Sequence, residues 1–416
     1  MREMKDSGIE WVGKIPHCWN TSKLKYLGQY INGYAFKPEE WGSKGVPIIR
    51  IQDLTGSNDN PNYFEGQIDK KYWVENGDIL ISWAATLDAF IWNKGKGWLN
   101  QHIFKAVPNR RIINYDFFFW MIKESMKNMN NDNKHGIFMQ HVTLSVFNNF
   151  TIPMPPLAEQ ERIAAFLDAE CAEIDTVLEK TRASIEEYKK LKQAVITQAV
   201  TKGIRGDRPM KDSGIEWIGE IPAEWSVVPF SKFARVSANL VNPSDYQDYL
   251  QVSPENIEKD SGKLLPCKTV SEVGVESWNH FFHKGQILYS KIRPKLNKVC
   301  IAPFDGLCSA DMYPIDTDNI SKFVVYTILS NDFNQQVAMI TENRVKMPKI
   351  NQKELSKIIV VLPANRMEQQ EIVDYLDGEC GKIDALVAKK QQYLTEIENY
   401  KKSLIYEYVT GKKEVV

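Results

Sequence analysis

Residues Met4–Trp19 (MKDSGIEWVGKIPHCW) recur as Met210–Trp225 (MKDSGIEWIGEIPAEW) with 12 of 16 positions identical. Nothing else in the 416-residue chain constrains its fold as strongly. The offset persists with small drifts. Gly77-Asp78-Ile79-Leu80 answers Gly285-Gln286-Ile287-Leu288, Phe166-Leu167-Asp168-Ala169-Glu170-Cys171 answers Tyr375-Leu376-Asp377-Gly378-Glu379-Cys380, and Val200-Thr201 answers Val409-Thr410. The chain is a tandem duplication whose period far exceeds that of a solenoid repeat, so each copy is expected to be a domain with an appendage, related to the other by a pseudo-two-fold axis. Similarity is high at the start and in the last third of each copy. It is poor between, as in Gln29–Asn76 against Asn239–Lys284.

The last third of each copy predicts a long helix. After Pro153-Met154-Pro155-Pro156 the stretch from Leu157 to about Lys202 holds no proline and no glycine. Its apolar positions Ile174, Leu178, Thr181, Ile185 and Tyr188 step 4, 3, 4, 3, the seam of a coiled coil. In the second copy Ile383, Leu386, Lys390, Tyr393, Ile397, Tyr400 and Leu404 step 3 and 4 in turn. Helices of about 45 residues make rods of roughly 65 Å, and antiparallel pairing is the direct way to cover both stripes. The alternative is that each helix packs only on its own domain. The middles mix strand-like runs (Val46–Ile51, Asp78–Trp83, Gln286–Ser290) with helical ones (Tyr115–Asn128, Ser321–Ile340). The fold class predicted is α+β, two globular domains separated by a pair of long antiparallel helices.

Chemistry is sparse. Phosphate-loop, dinucleotide, nucleophile-elbow and zincin strings are missing, as are the Asn/Asp-Pro-Pro-Tyr/Phe tetrapeptide and the Gly-rich cofactor loop of a DNA methyltransferase. Cys18, Cys171, Cys267, Cys300, Cys308 and Cys380 are scattered without metal or disulfide spacing. His280 and His283 read as ordinary surface or core residues. No run approaches the roughly 20 apolar residues of a membrane span, and the charged start Met1–Asp6 lacks a signal core, so a cytoplasmic location is expected.

A net charge of −1 argues against a uniformly basic surface, yet charge is locally concentrated. Lys284, Lys291, Arg293, Lys295 and Lys298 fall between 284 and 300 without one acidic residue, and Arg344, Lys346, Lys349 and Lys353 cluster further on. From Gly77 to Phe150 eight Lys/Arg face five Asp/Glu, interleaved with Trp83, Trp92 and Trp98. Such patches suit phosphate neutralisation, with nearby polar side chains able to reach base edges. A plain solvated face is the competing reading.

The run Gly285-Gln-Ile-Leu-Tyr-Ser-Lys-Ile-Arg-Pro-Lys-Leu-Asn-Lys298, the helix entry Pro155-Pro-Leu-Ala-Glu-Gln-Glu-Arg-Ile163, and Gly8-Ile9-Glu10-Trp11 with Ile15-Pro16 resemble the specificity subunits of type I restriction-modification systems, over nearly the whole chain. The resemblance implies a non-catalytic subunit that binds double-stranded DNA. It divides the chain into a target-recognition domain at 1–154, a spacer helix at 155–205, a second target-recognition domain at 206–362 and a second spacer helix at 363–416. Each domain would read one half of a split, asymmetric site. The helices would set the gap and dock two modification (methyltransferase) subunits, with restriction/translocase subunits as further partners. No cofactor is expected in this chain; S-adenosylmethionine, ATP and Mg belong to the partners. By position, the partner contacts implied are Glu159, Gln160, Glu368 and Gln369, the second copy carrying one extra residue in Leu362–Met367. DNA contacts are expected from Lys291, Arg293, Lys295, Lys298, Arg344, Lys346 and Lys349 in the second domain. In the first they are expected from Ser82, Thr86, Gln101, His102, Lys134, Gln140 and His141, where Trp83 and its neighbours fit a core strand equally well. A coiled-coil scaffold that never touches DNA, or an enzyme of another kind, would instead tolerate charge reversal at Lys291, Arg293 and Lys295, or turn over substrate alone.

Overall fold

A computed structural model describes residues 2–57, 60–131, 142–344 and 348–415. The chain forms two compact units, Met1–Lys180 with Tyr393–Val416, and Thr181–Gln392. Each takes one globular domain together with part of both long helices, Leu157–Lys202 and Arg366–Val409.

In the first unit a four-stranded antiparallel sheet has the order Gly28–Asn32, Ile103–Pro108, Ile79–Ser82, Asp88–Ile91. The helix Tyr115–Asn131 buries Phe117, Phe118, Met121, Ile122 and Met126 in the same core as the sheet's Ile79, Ile81 and Phe104. That spacing of 3 and 4 gives one apolar helix face. A second sheet has the order Tyr63–Phe64, Val46–Ile49, Gly97–Leu99, Trp73–Val74, its middle pair parallel. Finally Asn20–Lys23 pairs with Thr151–Met154 and leads the chain into the first long helix.

The second unit repeats this plan. Its antiparallel sheet runs Arg235–Val236, Met312–Asp316, Ile287–Ser290, Val299–Ile301. Its other sheet runs Leu240–Val241, Asn279–Phe282, Gly306–Cys308, Leu250–Val252, Lys268–Thr269, again with a parallel pair, Gly306–Cys308 beside Leu250–Val252. Ser226–Pro229 pairs with Ile359–Leu362 before the second long helix. The divergent middles therefore share a strand plan, with one further strand, Leu240–Val241 or Lys268–Thr269, at an edge of the second unit's sheet; a plan of this kind is kept as long as the hydrophobic pattern and turns are, whatever the exact residues. One expected element is divided: the helical run at 321–340 is two helices, Ser321–Leu329 and Asn331–Thr341. Between them Ser330 turns extended (φ −65°, ψ 153°) and its Oγ accepts from Phe333 N as an N-cap.

Both units show the long helices antiparallel. In the first, Asp175 pairs with Lys401 at 2.6 Å and Phe166 packs tilted against Tyr408, ring centroids 4.4 Å apart. In the second, Lys192 pairs with Asp384 at 2.7 Å and the Lys390 amine lies 5.7 Å from the Tyr188 ring centre. Rising numbers on one helix meet falling numbers on the other. The first helix buries Ile174, Leu178, Thr181 and Ile185 as its spacing predicts. The second departs from expectation: Ile383 and Leu404 are buried, but Leu386, Tyr393 and Tyr400 are exposed, and Val387, Leu394 and Lys401 turn inward instead. Both sets keep the 3,4 step. The chosen set places the Lys401 amine on Asp175.

Among the described residues no helix is long and apolar enough to cross a membrane. All six cysteines are free thiols. Burial pushes Cys171 and Cys380 up to about 11 and Cys300 up to about 12, and raises Cys308 further. Because the thiolate is the reactive species, iodoacetamide at pH 8 should modify exposed Cys18 in the folded protein. Cys171, Cys300, Cys308 and Cys380 should react only after denaturation; peptide mass spectrometry of native and unfolded samples checks this.

Candidate nucleic-acid interface

The two antiparallel sheets end in loops built to one design. After Ile79–Ser82 the buried Ser82 Oγ donates to Ala84 O (3.2 Å), Trp83 O accepts from Val142 N (2.9 Å), and Ala85 is left-handed at φ 59°. After Ile287–Ser290 the buried Ser290 Oγ donates to Ile292 O (3.1 Å), Lys291 O accepts from Ile350 N (2.9 Å), and Arg293 is left-handed at φ 45°. In each case a serine ties down the carbonyl two residues on, and a rare backbone conformation follows at the third. Removing the Ser290 hydroxyl leaves a carbonyl unpaired. Ser290→Ala is expected to cost about 1 kcal/mol, measured as a shift in the denaturant midpoint.

What the loops present differs. In the first unit Thr86 is exposed, and His102 is exposed with its ring 5.4 Å from Trp83. Gln101 is half-buried, and its Oε1 and the Trp83 Nε1 are buried without a hydrogen-bond partner among the described residues. Trp83 itself stacks on Phe104 at 5.7 Å and packs on the core, the core-strand alternative. Ser82, expected to touch DNA, is fully buried and spent on the loop backbone. The pairing Ser82↔Ile103 holds these residues at one end of the sheet. Lys134, Gln140 and His141 lie outside the described residues, as does Lys346 in the second domain.

In the second unit three of the expected cations are engaged internally. Lys298 Nζ donates to Pro254 O at 2.6 Å, Arg344 pairs with Glu354 at 2.5 Å, and Lys349 pairs with Asp311 at 2.9 Å. Carboxylates thus offset the charge of Arg344 and Lys349, whereas Lys298 is tethered to a neutral carbonyl and keeps its charge. Lys291 is half-buried with its amine 5.2 Å from the Tyr313 ring centre. Arg293 and Lys295 are exposed and form no ion pair among the described residues. Of the two histidines at 280 and 283, His280 is buried and His283 exposed. No cluster of His, Cys, Asp and Glu fit to hold a metal occurs among the described residues.

The four residues aligned with partner contacts are inside the protein. Glu159 accepts from Trp19 Nε1 (2.9 Å) and Arg2 Nη2 (2.6 Å); Glu368 accepts from Trp225 Nε1 (2.9 Å) and Arg208 Nη1 (2.5 Å). Gln160 accepts from Asn114 N and donates to Pro155 O, while Gln369 accepts from Ile320 N and donates to Asn319 Oδ1. These side chains fasten the start of each long helix to its own domain and are no docking surface. The extra residue of the second copy leaves the arrangement intact, since Asn365 Oδ1 accepts from Glu368 N. The 3,4 spacing places Leu386, Tyr393 and Tyr400 in the seam, yet all three are exposed on the second long helix.

A family model for the type I restriction modification DNA specificity domain matches twice, at residues 16–187 and 232–399. The specificity subunit of the type I restriction enzyme EcoDI from Escherichia coli is 32% identical, over 96% of this chain and 90% of that protein. The MjaVIII specificity subunit from Methanocaldococcus jannaschii is 25% identical over 97% and 94% of the two chains. A chain from a solved type I restriction-modification assembly superposes with a TM-score of 0.70 at 16% identity, covering 96% of this chain and 99% of that one, and so shares the fold. Matched in both of its copies and related to EcoDI along almost its full length, the chain belongs to the type I restriction-modification DNA specificity family.

Proposed function

We propose that this chain is the non-catalytic, DNA-reading subunit of a type I complex, each unit contacting one half of a split, non-palindromic site. The observation that carries this is a shared loop design with different contents. Trp83, Ala85, Thr86 and His102 occupy the places held in the second unit by Lys291, Arg293, Pro294 and Asp311. One scaffold presenting two unlike sets of side chains suits two unlike half-sites. Modification subunits dock along the long helices, and S-adenosylmethionine, ATP and Mg are used by the partners.

Co-expression with a cognate modification subunit, followed by single-molecule sequencing of genomic DNA, tests the proposal. The expected result is a split methylation motif with a fixed gap, absent when this chain is omitted. A perfect palindrome would contradict it, and an assembled complex that modifies nothing would favour a scaffold that does not touch DNA.

A further inference from the structure

The loop from Lys291 to Lys298 is anchored more heavily than a phosphate contact requires. Ser290 Oγ holds Ile292 O, Arg293 N donates to Pro348 O (2.8 Å), and Leu296 N donates to Arg293 O (2.8 Å). Asn297, also left-handed at φ 45°, is buried and its Nδ2 donates to Leu329 O (3.3 Å), while Lys298 Nζ donates to Pro254 O. Two non-glycine residues in left-handed backbone within five positions form a strained segment, which persists only where the surroundings impose it and is found preferentially at functional sites.

The residue this frame displays is Arg293. It is exposed and has no carboxylate partner among the described residues, unlike Arg344 and Lys349. Lys291 and Lys295 flank it at two positions on either side and supply flexible point charges suited to phosphates. A guanidinium is a rigid planar fork that a lysine cannot imitate. Placed at a base edge it pairs bidentately with the O6 and N7 of guanine, which no other base offers together in the major groove. The first unit has Ala85 at the same left-handed position, so only one half-site can be read in this way.

We propose that Arg293 is the base-selecting side chain of the second domain and that it specifies a guanine in one half-site. This rests on the DNA-reading role above. The test uses the full chain with its modification subunit and single-molecule sequencing of methylated DNA for wild type, R293K, R293G and K295A. The wild-type motif should contain an invariant G·C pair in the half-site read by the second domain. R293K keeps the charge, and R293G suits the left-handed backbone, so neither loss can be assigned to charge or strain alone. Both should lose discrimination at that one pair by about tenfold to a hundredfold with the other half-site unchanged. K295A should lower methylation at all sites and leave the motif intact. Retention of the full motif by R293K overturns the proposal, as does a second half-site without an invariant G·C pair. Complete loss of methylation in both Arg293 variants would assign the residue to overall affinity and overturn it as well. If the wild type itself yields no split motif, the DNA-reading role fails first.

Discussion

Glu368→Ala is expected to lower the stability of the second unit by about 3–5 kcal/mol, the range for removing one partner of a buried ion pair. At about 2–4 °C per kcal/mol for a body of this size, its calorimetric transition should fall by roughly 6–20 °C. The carboxylate has 2% of its side-chain surface exposed and Arg208 has 9%. Its loss strands a guanidinium that Glu368 holds firmly charged, together with the Trp225 indole N–H. Arg208 keeps its second partner, Glu224, which limits the damage. Glu368→Gln, still able to accept from Trp225, should fall between wild type and alanine. The equivalent Glu159→Ala should cost less in the first unit, because Arg2 retains 19% exposure and is better solvated when left alone. A loss under 1 kcal/mol for Glu368→Ala would mean that the helix entry is held by packing and not by this pair.

The buried carboxylates Glu159 and Glu368, each held by a tryptophan and an arginine, were only partly legible in the sequence. The repeat identified the Trp-to-Glu correspondence of the two copies, since Trp19 matches Trp225 and Glu159 matches Glu368. It could not say that these residues meet, because 140 and 143 positions separate them along the chain. A polar pair at a helix start therefore read as surface. The rods were legible from the lack of proline and glycine and from the 3,4 step. The second seam was not, because Leu386 and Val387, and Tyr393 and Leu394, are adjacent apolar residues and either register gives the same period. The basic run at 284–298 was legible as charge. Which cations remain available was decided by Pro254, Asp311 and Glu354, all brought in from distant parts of the chain.

Tyr393→Lys combined with Tyr400→Lys should abolish assembly with the modification subunit while leaving the folded chain as stable as before. In the first unit these two rings lie seven residues apart on one helix face, 49% and 54% exposed, with the seam residues Leu394, Ile397 and Lys401 turned inward beside them. The two rings form a pair on one face, and tyrosine is enriched among the residues that dominate binding energy. Two buried charges at such an interface should weaken association by well over tenfold, read as loss of modification subunit in a pull-down on the tagged full-length chain. Melting should move by no more than about 0.5 kcal/mol equivalent, because neither ring supports the core. Ile397→Lys is the opposing control: it places a charge on the packed side and should destabilise the first unit whatever the partner does. Unchanged assembly by the double tyrosine variant would place docking on another face, and the exposed rings would then need a different explanation.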